Sequence, residues 1–459
     1  MKKVLLLFAV LLMASTGLWA ETVDYLYPVY NTDGVPTSGI KEWKTASVDA
    51  TVVEDADEPV TWGTAGTETW YVVTGTNVRL SKGAICQGDV HLIICQGLLT
   101  ATGINDDTNN IYTPGIQVSG EGNSLTIYGQ TISKGQNLFA TGGKRAAGIG
   151  GGEGRSGSNI TINGGTVMAT GTFGAGIGGG VGVGADGFNI TINGGFVKAT
   201  SKHGAAIGGG QFCSGSNITI NDGEVTATGE EGGAGIGGGE GGSGSNITIN
   251  GCRTVTATSY YGAGIGGGVK GSGSDITIKG GTVTAYSARG SGIGGGDSSS
   301  GSNNITMPVN YRIKVNEVFI HNDGTDLADL LAGKKNVTAY PDKYLNERNT
   351  AFATINAAIE GITNENILAM AATGITGVFN AEAVADINGI KEKTLADLQN
   401  VITIYNAGKA DGYERGKADA LGSLGTKQNG PAVILTDKDD KEIILYSPKS
   451  VEYIKVNEK

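Results

Sequence analysis

Residues 146–170 read AAGIGGGEGRSGSNITINGGTVMAT, and the rest of the chain is best understood by what this stretch repeats. The phrase Asn-Ile-Thr-Ile begins at Asn159, Asn189, Asn217 and Asn246, and in altered form at Asp275 and Asn304. Gly-Ile-Gly-Gly-Gly falls between these copies, with its Ile at Ile149, Ile177, Ile207 (preceded by Ala206), Ile236, Ile265 and Ile293. Successive copies lie 28 to 30 residues apart, and degenerate ones extend upstream at Ser124–Ile127 and His91–Ile94. A fixed period of this length is the mark of a stacked repeat architecture.

Within one copy the side chains alternate. Ile160 and Ile162 fall on one face and Thr161 on the other. After the Gly164-Gly165 corner, Val167 and Ala169 point inward while Thr166, Met168 and Thr170 point outward. A second turn leads to Ala175 and Ile177, then to a glycine run and a Ser/Gly-rich loop. Three short alternating strands per turn suit a coil of strands and not helices. One turn cannot bury its own inward residues, but a stack of about eight at ~4.8 Å per layer makes a continuous thin core. The fold class expected is therefore all-β: a parallel β-solenoid over residues 70–308 with rungs of about 29 residues, taken as right-handed by the crossover rule. Asn163, Asn193, Asn221 and Asn250 recur at one corner and are expected to form an amide ladder. Pro308 is expected to end the array, since proline cannot donate to a ladder.

Outside the array the composition changes. Residues 1–20 combine Lys2 and Lys3, an apolar run from Val4 to Met13, and a small-residue end at Ala20. That is the layout of a cleavable export signal. No cysteine follows the apolar run, so no lipoprotein attachment is expected, and no later segment is apolar enough for a membrane span. Residues 21–69 read as an irregular N-terminal cap, with Trp62 and Trp70 near its junction. Residues 309–430 mix one or two strands (311–321) with a helical segment. There Leu327, Leu330 and Leu331, then Ile355, Ala358 and Ile359, then Ile390, Leu395, Leu398 and Ile402 mark helix faces, and Thr363–Asn366 marks a helix start. Residues 431–459 read as a C-terminal β-hairpin.

Glycine makes up 80 of 459 residues, more than twice the usual ~7%, yet no Gly-X-Y period points to collagen. The net charge is −11, and loss of Lys2 and Lys3 with the signal makes it more negative still. Such a chain repels nucleic-acid phosphates. Of the four cysteines, Cys86 and Cys95 are near enough in sequence to bridge, whereas Cys213 and Cys252 are separated by most of a strand and are expected to be free.

Taken together, Trp70-Tyr71-Val72-Val73, Gly88-Asp89-Val90-His91-Leu92-Ile93, Asn123–Gly129 and the recurring GAGIGGG and NITINGG phrases carry a resemblance. Residues 65–308 resemble secreted glycine-rich repeat proteins of gut and anaerobic bacteria described as carbohydrate-binding-domain-like β-helix proteins. The resemblance implies polysaccharide binding on a lyase-like fold, and it carries no catalytic residues.

The chemistry in the residues themselves points the same way. Cleavage of a polysaccharide needs paired carboxylates or a base beside an acidic metal cluster. Glu153, Asp222, Glu224, Glu230, Glu231, Glu240 and Asp297 read as solvated acids with no Arg or Lys base behind them. Gly178-Gly179-Gly180 and its equivalents lack the Asp of a calcium-binding repeat, and no Lys-Ser/Thr follows them to make a phosphate loop. No cofactor or metal is expected. The threonine rows suggest an ice-binding array, but Met168, Phe196, Lys198 and Glu224 break it. The aromatic side chains at loop or outward positions are the candidate binding residues: Phe173, Phe188, Phe196, Phe212, Tyr260, Tyr261 and Tyr286, with His203. The function expected is a non-enzymatic, secreted or surface-displayed protein that binds polysaccharide or acts as an adhesin, its C-terminal segment meeting an envelope or surface protein. A polysaccharide lyase or glycoside hydrolase is the alternative, and a ligand-free spacer the second.

Overall fold

A computed structural model describes residues 20–30, 40–95, 97–131, 135–308, 310–316, 318–320, 326–410, 432–436 and 442–446. The export signal expected at residues 1–20 lies, Ala20 apart, outside the described residues. The chain forms two compact units, Met1–Pro341 and Asp342–Lys459.

The first unit is a parallel β-solenoid. Each regular rung contributes three strands, of which the Gly157–Ile162, Thr166–Thr170 and Ile177–Gly178 set is representative. Register is kept from layer to layer, so identical residues stack. Ile160 pairs with Ile190 and that with Ile218, Val167 with Val197 and Val225, and Ile149 with Ile177 and Ile207. These columns are almost fully buried and form one core running the length of the array. Each buried Ile is worth about 1.5–3 kcal/mol relative to exposure. The alternation read from the sequence is the one observed, except that Thr166 is covered, at 8% exposure.

Glycine is obligatory at the third corner. Gly178 has φ +133, and a Cβ there would lie 2.0 Å from the carbonyl oxygen of Gly208 in the next rung. No other residue tolerates both that backbone and that approach.

Two amide ladders brace the stack. The expected one is present: Asn193 Nδ2 donates to Asn163 Oδ1 at 2.7 Å, Asn221 to Asn193 at 2.8 Å, and Asn250 to Asn221 at 2.7 Å. The second was not read from the sequence. Asn159, Asn189, Asn217, Asn246, Asp275 and Asn304 all have φ between +49 and +56, a region Asn and Asp enter more readily than most residues. Strand register skips this position, pairing Ser158 with Phe188 and then Ile160 with Ile190. The exposed side chains then bond along the stack, as in Asn189 to Asn159 at 3.1 Å and Asn246 to Asn217 at 2.6 Å.

Both ends are closed. The described parts of residues 21–69 are not irregular: Ala20–Tyr30 and Ile40–Val52 pair antiparallel, and Val60–Val73 runs parallel to Ala84–Ile94 as the first layer. The antiparallel pair extends along the stack. Tyr25 packs on Trp70 and Tyr128, each at 4.8 Å, while two layers on Tyr30 Oη accepts from Asn193 Nδ2 at 2.9 Å. At the other end Asn336–Pro341 adds antiparallel to Thr282–Ser287, followed outward by Tyr311–Val315 and Val318–Ile320. Leu327 and Leu331, on and beside a one-turn helix at Ala328–Leu331, plug the core. The Asp326 carboxylate accepts from the backbone N–H groups of Asn304, Ile305 and Ala328. This covers the edge that an unfinished array would leave unpaired.

The four cysteines are free and buried. Cys86 belongs to the main core and Cys95 to the cluster beneath the N-terminal strand pair, so the bridge considered for them does not form.

In the second unit, helices Leu345–Ala358, Glu365–Asn380 and Val384–Ala410 bury Ile355, Ile367, Val378, Ile387 and Leu398 together. Asn364 is the N-cap of the middle helix, accepting from Asn366 and Ile367 N–H. Arg348, 2% exposed, pairs with Asp342 at 2.9 Å and donates to the carbonyl of Val378 at 2.7 Å. Ala432–Thr436 and Glu442–Tyr446 form an antiparallel hairpin.

Candidate functional site

One edge of the solenoid is built from two loops per rung. The first joins the second strand to the third, and along the stack the residue four before the repeat Ile is Arg145, Phe173, His203, Gly232 (with Glu231 just before it), Tyr261 and Arg289 in turn. The second follows the glycine run and presents Gln211-Phe212, Glu240-Gly241, Val269-Lys270 and Asp297-Ser298. Backbone bonds join the two rows across rungs: Gln211 N–H to Phe173 O at 2.7 Å, Glu240 to His203 at 2.9 Å, Val269 to Gly232 at 2.9 Å and Asp297 to Tyr261 at 2.8 Å. They make one continuous strip. From Arg145 to Arg289 it crosses five rung steps, about 24 Å at ~4.8 Å each.

At its centre the His203 ring stacks on Phe173, with centroids 4.7 Å apart and planes 9° from parallel. Nδ1 of His203 lies 3.1 Å from Glu240 Oε2, and Nε2 lies 3.5 Å from Glu231 Oε2. Gln211 Nε2 donates to the same Glu240 oxygen at 3.0 Å, and Lys202 pairs with Glu231 at 3.2 Å. Further along, Tyr260 and Tyr261 meet edge to face at 4.6 Å, and the Arg289 guanidinium stands 5.9 Å over the Tyr261 ring.

Among the rings of the strip, Phe212 stands out by its exposure. Its side chain is 60% exposed, and its φ is +68. The equivalent position has the same backbone in other rungs, as Gly154 at φ +69, Gly241 at φ +79, Lys270 at φ +63 and Ser298 at φ +59. Gly241 also gives it room, since a Cβ there would come within 3.2 Å of Phe212 Cδ1.

The strip therefore gathers Phe173, His203, Phe212, Tyr260 and Tyr261 from the candidate residues. It leaves out the other three. Phe188 is half-buried in the first strand of its rung, in register with Ser158 and Ser216. Phe196 opens the second strand, also half-buried, with the Arg253 guanidinium 6.0 Å from its ring. Tyr286 is exposed on the second strand, in register with Thr258. Sequence reading missed Gln211, Glu231, Glu240 and Arg289 as neighbours of the rings. The only signal available was the offset that Gln211 shares with Glu240, and that Arg289 shares with Phe173 and His203, within the repeat.

A second aromatic cluster lies under the N-terminal strand pair. Trp70 stacks on His91 at 4.1 Å, and His91 Nδ1 is 2.9 Å from Tyr128 Oη. Tyr25 covers Trp70 and Tyr128, so this cluster fixes the pair. Burial, then the neighbouring Tyr25, Asp89 and Glu68, raise the Tyr128 hydroxyl well above the usual phenol range. Among the described residues, no group of three or more His, Cys, Asp or Glu is gathered to hold a metal ion, and no helix is long and apolar enough to cross a membrane.

A family model described as a beta helix repeat matches residues 131–153, 160–181, 190–211, 218–240, 247–269 and 276–297. No curated protein and no solved structure matches the chain. The six matches follow the rungs one by one, and by sequence as by structure residues 131–297 are a run of β-helix repeats.

Proposed function

We propose that this protein is an exported β-helix protein that binds polysaccharide along the two-loop strip without cleaving it. Phe212 carries the reading. At 60% exposure its ring is the most exposed of the candidate aromatic side chains, at a loop position that holds Gly154 and Gly241 in some rungs and the polar Lys270 and Ser298 in others. Exposed rings beside planar amide and carboxylate groups suit a sugar, which offers an apolar face and a rim of hydroxyls. The resemblance of residues 65–308 to secreted carbohydrate-binding-domain-like proteins agrees with this, as does the export signal read at residues 1–20. The helical unit and the C-terminal hairpin are then free to meet a surface partner.

The test is a glycan-array screen of residues 21–459 alongside Phe212→Gly. The glycine variant restores the residue used in sister rungs, so it should fold like the parent. Saturable binding by the parent and about 3- to 10-fold weaker binding by the variant are expected. Equal binding by the two proteins would refute the site.

One observation favours a second reading, a polysaccharide-cleaving enzyme: Glu231 and Glu240 flank His203. Against it, both carboxylates are already engaged, by Lys202 and Gln211. Release of reducing ends or unsaturated products from a polysaccharide panel would decide for the enzyme.

A further inference from the structure

The charge and shape of the strip narrow its ligand, granted the binding reading above. Apart from the exposed Lys270, its cations are held by neighbouring groups. Arg145 pairs with Glu153 at 2.8 Å, Lys202 with Glu231 at 3.2 Å, and Arg289 lies over the Tyr261 ring at 5.9 Å. His203 stands between two carboxylates. Glu230 and Asp297 add further negative charge on the same loops, and the whole chain carries −11. An anionic chain laid here would meet Lys270 at one point, but along the rest of the strip it would have to displace Glu153 or Glu231 from its cation and then face the remaining carboxylates. Both steps oppose binding.

The shape is equally restrictive. The rings do not converge on a pocket; they follow one another along the stack. Phe173 and Tyr261 are three rung steps apart, about 14 Å at ~4.8 Å each, with Phe212 in the adjoining loop row between them. Planar hydrogen-bonding groups alternate with the rings: Gln211 beside Phe173, Glu240 beside His203, Glu231 before Tyr261. A compact sugar would meet one ring only. An extended chain parallel to the stacking direction would meet all of them.

We infer that the strip takes an uncharged, extended glycan lying along the solenoid, and that uronate-bearing or sulfated chains are excluded. The probes are neutral oligosaccharides of xylan, glucan and mannan from disaccharide to octasaccharide, with polygalacturonate and alginate as acidic chains. They are titrated into the full mature chain by calorimetry at low and high salt.

One neutral series should bind, with affinity rising with length until the chain spans the strip and changing little with salt. Phe212→Gly and Tyr261→Ala should each weaken the octasaccharide about 3- to 10-fold, while the disaccharide responds to only one of them. Tighter binding of an acidic chain, fading with salt, would overturn the uncharged assignment. Affinity independent of length would overturn the extended one. In both of those cases glycan binding itself stands. Absence of binding to every probe, or binding that neither variant alters, would remove the glycan reading as well.

Discussion

Replacing Asn221 by Ala tests whether the inner amide ladder holds the rungs together. Asn221 is 2% exposed. It donates to Asn193 at 2.8 Å and accepts from Asn250 at 2.7 Å. Removing it leaves Asn193 Oδ1 buried without its donor and Asn250 Nδ2 without its acceptor. A stranded buried polar group costs about 1–3 kcal/mol. Asn250 is half-exposed, so water recovers part of its share. The loss expected for Asn221→Ala is therefore about 2–4 kcal/mol. Asn217→Gly is the control in the same rung. It also breaks two ladder bonds, of 3.2 and 2.6 Å, but on the exposed side, and glycine keeps the positive φ of that position. Its cost should stay within about 1 kcal/mol. Urea unfolding followed by circular dichroism reads both, compared by midpoint because arrays need not unfold in one step. If Asn217→Gly lowers the midpoint as much as Asn221→Ala does, burial is not what gives the inner ladder its strength, and the reasoning fails.

The inner ladder also has a gap to fill. Asn250 Oδ1 is buried with no hydrogen-bond partner, because the next rung places Lys279 at that corner; Lys279→Asn should supply a donor and raise stability by about 1 kcal/mol. An unchanged or lower midpoint would count against this. Burial raises the thiols of all four cysteines, Cys95 to about 11 with help from Glu21, and Cys252 to about 12 with help from Asp222. None should react with a disulfide reagent at pH 8 in the native state, and all four should react in denaturant; rapid native labelling of any would contradict the burial. Asp326 feels burial, which raises its pKa, but the N–H groups of Ala328, Ile305 and Asn304 outweigh it and hold the carboxyl below its ordinary 3.8. A lowered folded pKa contributes stability above the unfolded value and loses it as pH falls through the folded one. Hydrogen exchange in residues 302–306 and 328–331, corrected for intrinsic rates, should therefore quicken below about pH 4, and Asp326→Asn should remove that dependence.

The rungs were legible because their causes are local and repeated. Ile160 and Ile162 alternate with Thr161, and the pattern returns at a nearly constant step, so stacking could be read directly. Asn163 and its counterparts share one offset, which was enough to foresee their ladder. Asn159 was harder. It begins a phrase that reads as plain strand, and only its positive φ turns its amide along the stack. The strand at 336–341 was missed within a stretch that otherwise favours helices. It forms because the strand at Thr282–Ser287 has an edge that must be paired. The N-terminal strand pair likewise takes its place from Trp70, His91 and Tyr128, which belong to three successive layers.

By itself, then, the sequence determined the coil of strands, its length, its inward columns and the corner glycines. Each of these follows from period-two alternation and backbone sterics acting within one repeat. Only the tertiary structure decided which exposed rings share a surface. Phe173 and Gln211 are 38 residues apart in number and meet through one backbone bond between rungs. Phe188, Phe196 and Tyr286 look the same in sequence but sit at other offsets in the rung. Where a side chain lies around the coil is set by the strand or loop that carries it, and what lies beside it is set by the next layer.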